Sequence, residues 1–148
     1  MRARFVNEVM GFERSDDIKV SLQLGKRARI VTWLDTMGVK NYTINPDWTI
    51  DVKGYVYLDY KNLTEFPDYI KFNNVSGGFY CSKNQLTSLK GCPASVSGYF
   101  SCWNNQLTSL EGCPTKVGGY FGCYDNPGKF IKEDVLKVCK VNPNNITV

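Results

Sequence analysis

Phe79-Tyr-Cys81-Ser-Lys-Asn84-Gln-Leu86-Thr-Ser-Leu89-Lys-Gly-Cys92-Pro93 is answered 21 residues later by Phe100-Ser-Cys102-Trp-Asn-Asn105-Gln-Leu107-Thr-Ser-Leu110-Glu-Gly-Cys113-Pro114. A third copy opens at the same spacing as Phe121-Gly-Cys123-Tyr-Asp-Asn126 and stops at Pro127-Gly128. A degenerate copy lies 23 residues upstream of the first, Val56-Tyr-Leu58-Asp-Tyr-Lys61-Asn-Leu63-Thr-Glu-Phe66-Pro67, the Asp68–Asn74 stretch carrying the extra residues. A fixed period in this range is the signature of a repeat architecture, in which each unit covers the core of the next.

Within each copy Phe-x-Cys alternates with the period of a strand, so Phe and Cys point inward. The pairs Leu86/Leu89 and Leu107/Leu110 join them. Asn84, Asn105 and Asn126 follow the strand where the chain turns. A buried turn needs its backbone groups satisfied, and an amide side chain both donates and accepts, so these residues are expected to form a ladder between neighbouring copies. Gly77, Gly98 and Gly119 precede each strand, where either φ is positive or successive turns crowd.

The run Phe-x-Cys-x-x-Asn-x-Leu resembles the leucine-rich repeat, whose consensus is Leu-x-x-Leu-x-Leu-x-x-Asn-x-Leu. Phe79, Cys81, Asn84 and Leu86 match its core positions, as do Phe100, Cys102, Asn105 and Leu107. The first consensus Leu is missing, Phe and Cys replace Leu on the strand, and Lys61 stands at the ladder position of the first copy. The resemblance implies an α/β repeat solenoid of about four short leucine-rich-repeat-like coils forming a small parallel sheet. With Arg2-Ala-Arg-Phe-Val-Asn-Glu at its start and Tyr42-Thr-Ile-Asn followed by Thr49-Ile-Asp-Val-x-Gly54 ahead of the repeats, the whole chain also resembles small repeat proteins of tailed bacteriophages, a group with no common activity to carry over.

The ends read as caps on a single domain: an N-terminal cap over 1–53, repeats over 54–126, and a C-terminal cap over 127–148. Gly25–Met37 has helical spacing, with Ile30, Trp33, Leu34 and Met37 on one face and Gly38 as its stop. A short helix is expected near Asp16–Leu22. Tyr42–Val52 reads as a hairpin turning at Asn45-Pro46-Asp47. Gly128–Val138 reads as a helix with Ile131, Val135 and Val138 inward. Asn142–Asn145 is a turn, and Ile146–Val148 a closing strand.

The chain has 148 residues and no histidine, which removes Ser-His and Cys-His catalysis and every His-ligated metal site. Acidic residues of the repeats do not recur in a column, and no phosphate-cradling loop is present. The expectation is a protein that is not an enzyme and uses no cofactor. No apolar run follows the basic start as in a secretory signal, and none reaches the ~18 residues of a membrane span, so the chain reads as soluble and cytoplasmic, with no membrane partner. If it is phage-encoded, the compartment is the host cell cytoplasm. The six cysteines are then expected as thiols. Five sit at repeat positions: Cys81, Cys102 and Cys123 on strands, Cys92 and Cys113 before prolines. Stacked thiols could bind metal or cross-link, but a small buried hydrophobe repeated in a core explains them without either, and no metal site is expected.

If Phe and Cys point in, the residues between them point out. They form three columns: Tyr55, Gly78, Tyr99, Tyr120; Tyr57, Tyr80, Ser101, Gly122; and Asp59, Ser82, Trp103, Tyr124. Seven aromatics, Tyr55, Tyr57, Tyr80, Tyr99, Trp103, Tyr120 and Tyr124, thus share one face. Tyr60, Lys83, Asn104 and Asp125 lie just beyond, at the strand ends. Tyrosine is a good strand former and can serve the sheet alone, and the N-terminal segment could cover part of the face. Contiguous exposed aromatics otherwise mark a protein-binding surface. That is the function expected here: a non-catalytic binding module. The phage resemblance adds inhibition of a host defence protein. A basic patch of Lys26, Arg27 and Arg29 supports an alternative reading as a nucleic-acid or nucleotide binder, though the net charge is only +4. A structural or self-assembling component is the other alternative, if the caps leave strand edges open.

Overall fold

The computed structural model describes residues 2–148, with side chains described from Ser15 onward. The chain is an α/β fold with two compact units, 1–33 and 34–148. It opens with one long helix, α1 (Arg2–Thr36). The two helices expected near Asp16–Leu22 and over Gly25–Met37 are therefore one, because the single Gly25 between them costs only about 1 kcal/mol in a helix interior. Ile30 and Leu34 are buried. The stop is where it was expected. Gly38 takes φ +75, its N–H donates to the Asp35 carbonyl, and Val39 N–H donates to that of Leu34. This pair of bonds satisfies the last carbonyls of the helix.

A hairpin follows, β1 (Tyr42–Ile44) with β2 (Ile50–Val52). Its loop is fastened by Trp48 N–H to the Asn45 carbonyl and by Asp47, whose carboxylate accepts from Thr49 N–H and hydroxyl. Beyond it come β3 (Val56–Tyr57), β4 (Phe72–Val75), β5 (Phe79–Tyr80), β6 (Ser95–Val96), β7 (Phe100–Ser101), β8 (Lys116–Val117) and β9 (Phe121–Gly122). The chain closes with α2 (Lys132–Val138), a 3-10 turn (Pro143–Asn145) and β10 (Ile146–Thr147). The expected turn and closing strand are both present.

The strands alternate between two five-stranded sheets, ordered β1-β2-β4-β6-β8 and β10-β9-β7-β5-β3. Every pair except the hairpin is parallel. The one small sheet expected from the Phe-x-Cys strands is the second of these. The return limb after Pro67, Pro93 and Pro114, whose sequence shows no helical period, supplies β4, β6 and β8 of the first. In the second sheet Val56 lies opposite Phe79, Phe79 opposite Phe100, and Phe100 opposite Phe121, which is the register of the sequence repeat.

Between the sheets the core is a column of rings and thiols. Phe79, Phe100 and Phe121 are fully buried, with centroids 6.0 and 5.1 Å apart along the column. Cys81, Cys92, Cys102, Cys123 and Cys139 are buried as free thiols, and Cys113 is half-buried. Burial pushes the Cys92 and Cys102 thiols well above their ordinary range and those of Cys113 and Cys123 to about 12. α2 corrects one expectation. Val135 is buried, whereas Ile131 and Val138 are exposed. The helix begins at Lys132 and not at Gly128, turns Val135 to the core, and is followed by Cys139, buried in extended backbone just past its end.

The asparagine ladder forms as expected. Asn84 accepts from the N–H groups of Lys61 and Leu63 and donates to the carbonyls of Leu58 and Cys81. Asn105 accepts from Leu86 N–H and donates to the carbonyls of Cys81 and Cys102. Asn126 accepts from Leu107 N–H and donates to Cys102 and Cys123. The glycines that precede the strands resolve to the crowding alternative. Gly98 N–H donates to the Gly77 carbonyl at 2.9 Å, and a Cβ on Gly98 would lie 2.9 Å from that same oxygen.

Candidate functional site: the aromatic face

The second sheet carries the predicted columns. Register places Tyr57 beside Tyr80, Tyr80 beside Ser101, and Ser101 beside Gly122. The inner partners Val56, Phe79, Phe100 and Phe121 are fully buried, so alternation sends the intervening side chains outward. Tyr55, Tyr57, Tyr99 and Tyr120 are 46–63% exposed, while Tyr80, Trp103 and Tyr124 are half-buried.

The rings lean on one another in three groups. Tyr57 stacks on both Tyr55 and Tyr80, with centroids 5.9 and 5.3 Å apart. Tyr99 meets Tyr120 edge to face at 4.9 Å. Trp103 stacks on Tyr124 at 5.0 Å, the planes within 8°. Offset and edge contacts of this kind are worth about 0.5–1.5 kcal/mol each beyond the area they bury. Desolvation pushes the Tyr80 hydroxyl above its ordinary pKa, and the neighbouring Tyr57, Tyr55 and Tyr99 hydroxyls and the Asp59 carboxylate push it the same way.

Beneath the rings runs a polar seam. Asp59 accepts from Ser82 N–H at 2.7 Å, and the Ser82 and Ser101 hydroxyls share a 2.7 Å bond. Desolvation pushes the Asp59 carboxyl above its ordinary value.

The sequence reading placed Tyr60 and Lys83 beyond the columns, at the strand ends. The structure brings them into the face. Lys83 Nζ lies 4.7 Å from the Tyr60 ring centroid and 4.8 Å from that of Trp103, and it donates to the Tyr60 hydroxyl. Tyr60, Lys83, Trp103 and Tyr124 therefore form one ribbon across four strand segments, with the ammonium held between two rings. The cause is local. Tyr60 and Lys83 take φ +57 and +54 at the turn after the strand, as do Asn104 and Asp125 at the equivalent positions with +53 and +54. A left-handed residue breaks the strand alternation that the columns were read from.

The basic residues Lys26, Arg27 and Arg29 lie on exposed positions of α1. Among the described residues no helix is long and apolar enough to cross a membrane. The chain matches no protein family model, no curated protein and no solved structure.

Proposed function

We propose that this chain is a leucine-rich-repeat-like mini-solenoid of about four coils that works as a non-catalytic protein-binding module. The observation that carries the reading is the contiguous aromatic face: Tyr55, Tyr57, Tyr60, Tyr80, Tyr99, Trp103, Tyr120 and Tyr124, most of them already stacked on a neighbour. Tyr and Trp bring large contact area with few rotatable bonds, and stacking before binding removes part of the ordering cost. Lys83 adds a single cation inside an apolar surround, suited to a carboxylate on the partner. The resemblance to phage repeat proteins directs the search to bacterial host proteins, with inhibition of a defence component as the role.

The test is the combined variant Tyr99→Ala, Trp103→Ala, Tyr120→Ala. None of the three is a core residue, so the circular dichroism spectrum is expected to be retained. Affinity capture from bacterial lysate with the wild-type chain should enrich a host protein that the variant loses. An identical set of captured proteins from both would place the function away from this face.

A further inference from the structure

At each interior step of the second sheet, three N–H groups of one coil meet three carbonyls of the next. Val56, Leu58 and Tyr60 donate to Gly78, Tyr80 and Ser82; Phe79, Cys81 and Lys83 donate to Tyr99, Ser101 and Trp103; Phe100, Cys102 and Asn104 donate to Tyr120, Gly122 and Tyr124. The equivalent carbonyls of the first coil are those of Tyr55, Tyr57 and Asp59. β3 ends the sheet, and among the described residues no donor reaches these carbonyls. Alternation in a parallel ladder turns the Tyr57 and Asp59 N–H groups to the same open side. Natural sheets blunt such an edge with lysine, proline or a bulge. Gly54–Tyr60 contains neither lysine nor proline, and β3 pairs with β5 residue for residue.

The first sheet is closed at this end. β1 lies beyond β2, one level outside the coil that β2 and β3 share. The matching place beside β3 is one strand wide, about 4.8 Å. A second copy arriving edge-on would bring strands of both its sheets and meet β1; a lone extended segment would not. Charge complementarity gives that segment its chemistry. A row of carbonyl oxygens, each partly negative, matches N–H groups at alternate residues. Asp59 is the single charged side chain of the edge and stands at its C-terminal end, which suits a lysine or arginine there. Tyr55 and Tyr57, both more than half exposed, line the outer side and suit aromatic or aliphatic neighbours.

We infer that β3 takes up one extended segment of the bound protein as an added parallel strand. N–H groups of alternate residues donate to the Tyr55, Tyr57 and Asp59 carbonyls, apolar side chains lie along Tyr55 and Tyr57, and a cation sits beside Asp59. Strand addition of this kind draws affinity from the backbone and specificity from alternate side chains. The inference rests on the reading of the aromatic face as protein-binding, and it adds a backbone component at the Tyr55 and Tyr57 margin of that face.

The probe is an acetylated and amidated peptide with the sequence of residues 77–83 carrying Cys81→Ser, because within the fold that strand makes these same bonds to the next one and ends on a lysine. Titrated into the full chain, it should shift the Tyr57 and Asp59 amide resonances. N-methylation of the peptide at the position of Phe79, Cys81 or Lys83 should weaken binding roughly tenfold, and at Tyr80 or Ser82 should change it by less than about twofold. Tyr57→Pro removes an N–H that the ladder with β5 does not use, and should bind the peptide roughly tenfold more weakly than Tyr57→Ala, which keeps that N–H. Circular dichroism of both variants checks the fold. No binding at millimolar peptide, or N-methyl effects without the two-residue period, would overturn the inference. So would a wild-type dimer at tens of micromolar that Tyr57→Pro converts to monomer, since the edge would then serve a second copy. The variant Tyr99→Ala, Trp103→Ala, Tyr120→Ala leaves β3 intact and should bind the peptide like wild type, so failure at the edge and failure of the aromatic face are separate results.

Discussion

Asn105→Ala is the sharpest probe of the ladder. Asn105 is 2% exposed, accepts from Leu86 N–H at 3.0 Å, and donates to the carbonyls of Cys81 and Cys102, each at 3.0 Å. Alanine leaves Leu86 N–H buried without a partner, at a cost of about 1–3 kcal/mol. The two carbonyls fare better. Cys81 still accepts from Asn84 and Cys102 from Asn126, so each loses one bond of two, about 0.5–1 kcal/mol apiece. The sum is roughly 2–5 kcal/mol, a large part of the stability of a chain this size. Asn105→Asp keeps the acceptor but turns a charged oxygen toward carbonyl oxygens, so it should cost at least as much. Gln106→Ala, on the exposed neighbour, should stay within about 0.5 kcal/mol. Urea unfolding followed by circular dichroism measures all three. A loss under ~1 kcal/mol for Asn105→Ala, or one equal to that of Gln106→Ala, would refute the idea that the amide ladder holds successive turns together.

Two further outcomes follow from burial. The Asp59 carboxyl is raised above 3.8 by desolvation, so the folded state binds its proton more tightly than the unfolded state. Its contribution to stability is present below the unfolded value and is lost as pH rises through the folded one. Asp59→Asn keeps an oxygen for Ser82 N–H, so it should be more stable than wild type at neutral pH, with the gain vanishing in acid; a constant difference across a pH series of urea midpoints would contradict this. Five thiols are buried in the core and Cys113 is half-buried, with Cys113 and Cys123 pushed up to about 12 and Cys139 to about 11. A thiol reagent at mildly alkaline pH should therefore leave the folded chain almost untouched and titrate six groups after unfolding, the full cysteine content; rapid reaction of the folded chain would show that the core opens.

The sheet with the Phe-x-Cys strands was legible because two constraints coincide there. Period-2 alternation fixes which side chains enter the core, and an identical spacing fixes which residues pair. The other sheet was harder to read. Its strands hold Asn73, Asn74, Ser95 and Lys116, poor strand formers, around one buried valine each. The signal that could have found it is Val75, Val96 and Val117, 21 residues apart and each just ahead of the glycines. α2 misled for a different reason. Ile131, Val135 and Val138 fit a helical stripe, but Cys139 lies beyond the helix in extended backbone and is buried, and its burial with Val135 sets the face. Burial followed the position of the cap and not the apolar count.

Lys83 was out of reach of alternation altogether, and the reason bears on what the face does. The residue before each ladder position is left-handed: Tyr60, Lys83, Asn104 and Asp125. Asn and Asp tolerate that conformation through local hydrogen bonding; Tyr and Lys do not, and each costs of order 1 kcal/mol there. The fold alone would be served by asparagine at all four. The chain instead carries the two ill-suited residues at adjacent turns, and these are the two whose side chains meet, Lys83 donating to the Tyr60 hydroxyl and facing its ring. Backbone strain at a surface turn is retained where the surrounding structure over-determines it, and such sites cluster where a protein binds. The strained pair thus supports the proposed reading of this face as a binding surface near Tyr60, Lys83 and Trp103, although Trp48 and Lys129 are left-handed elsewhere.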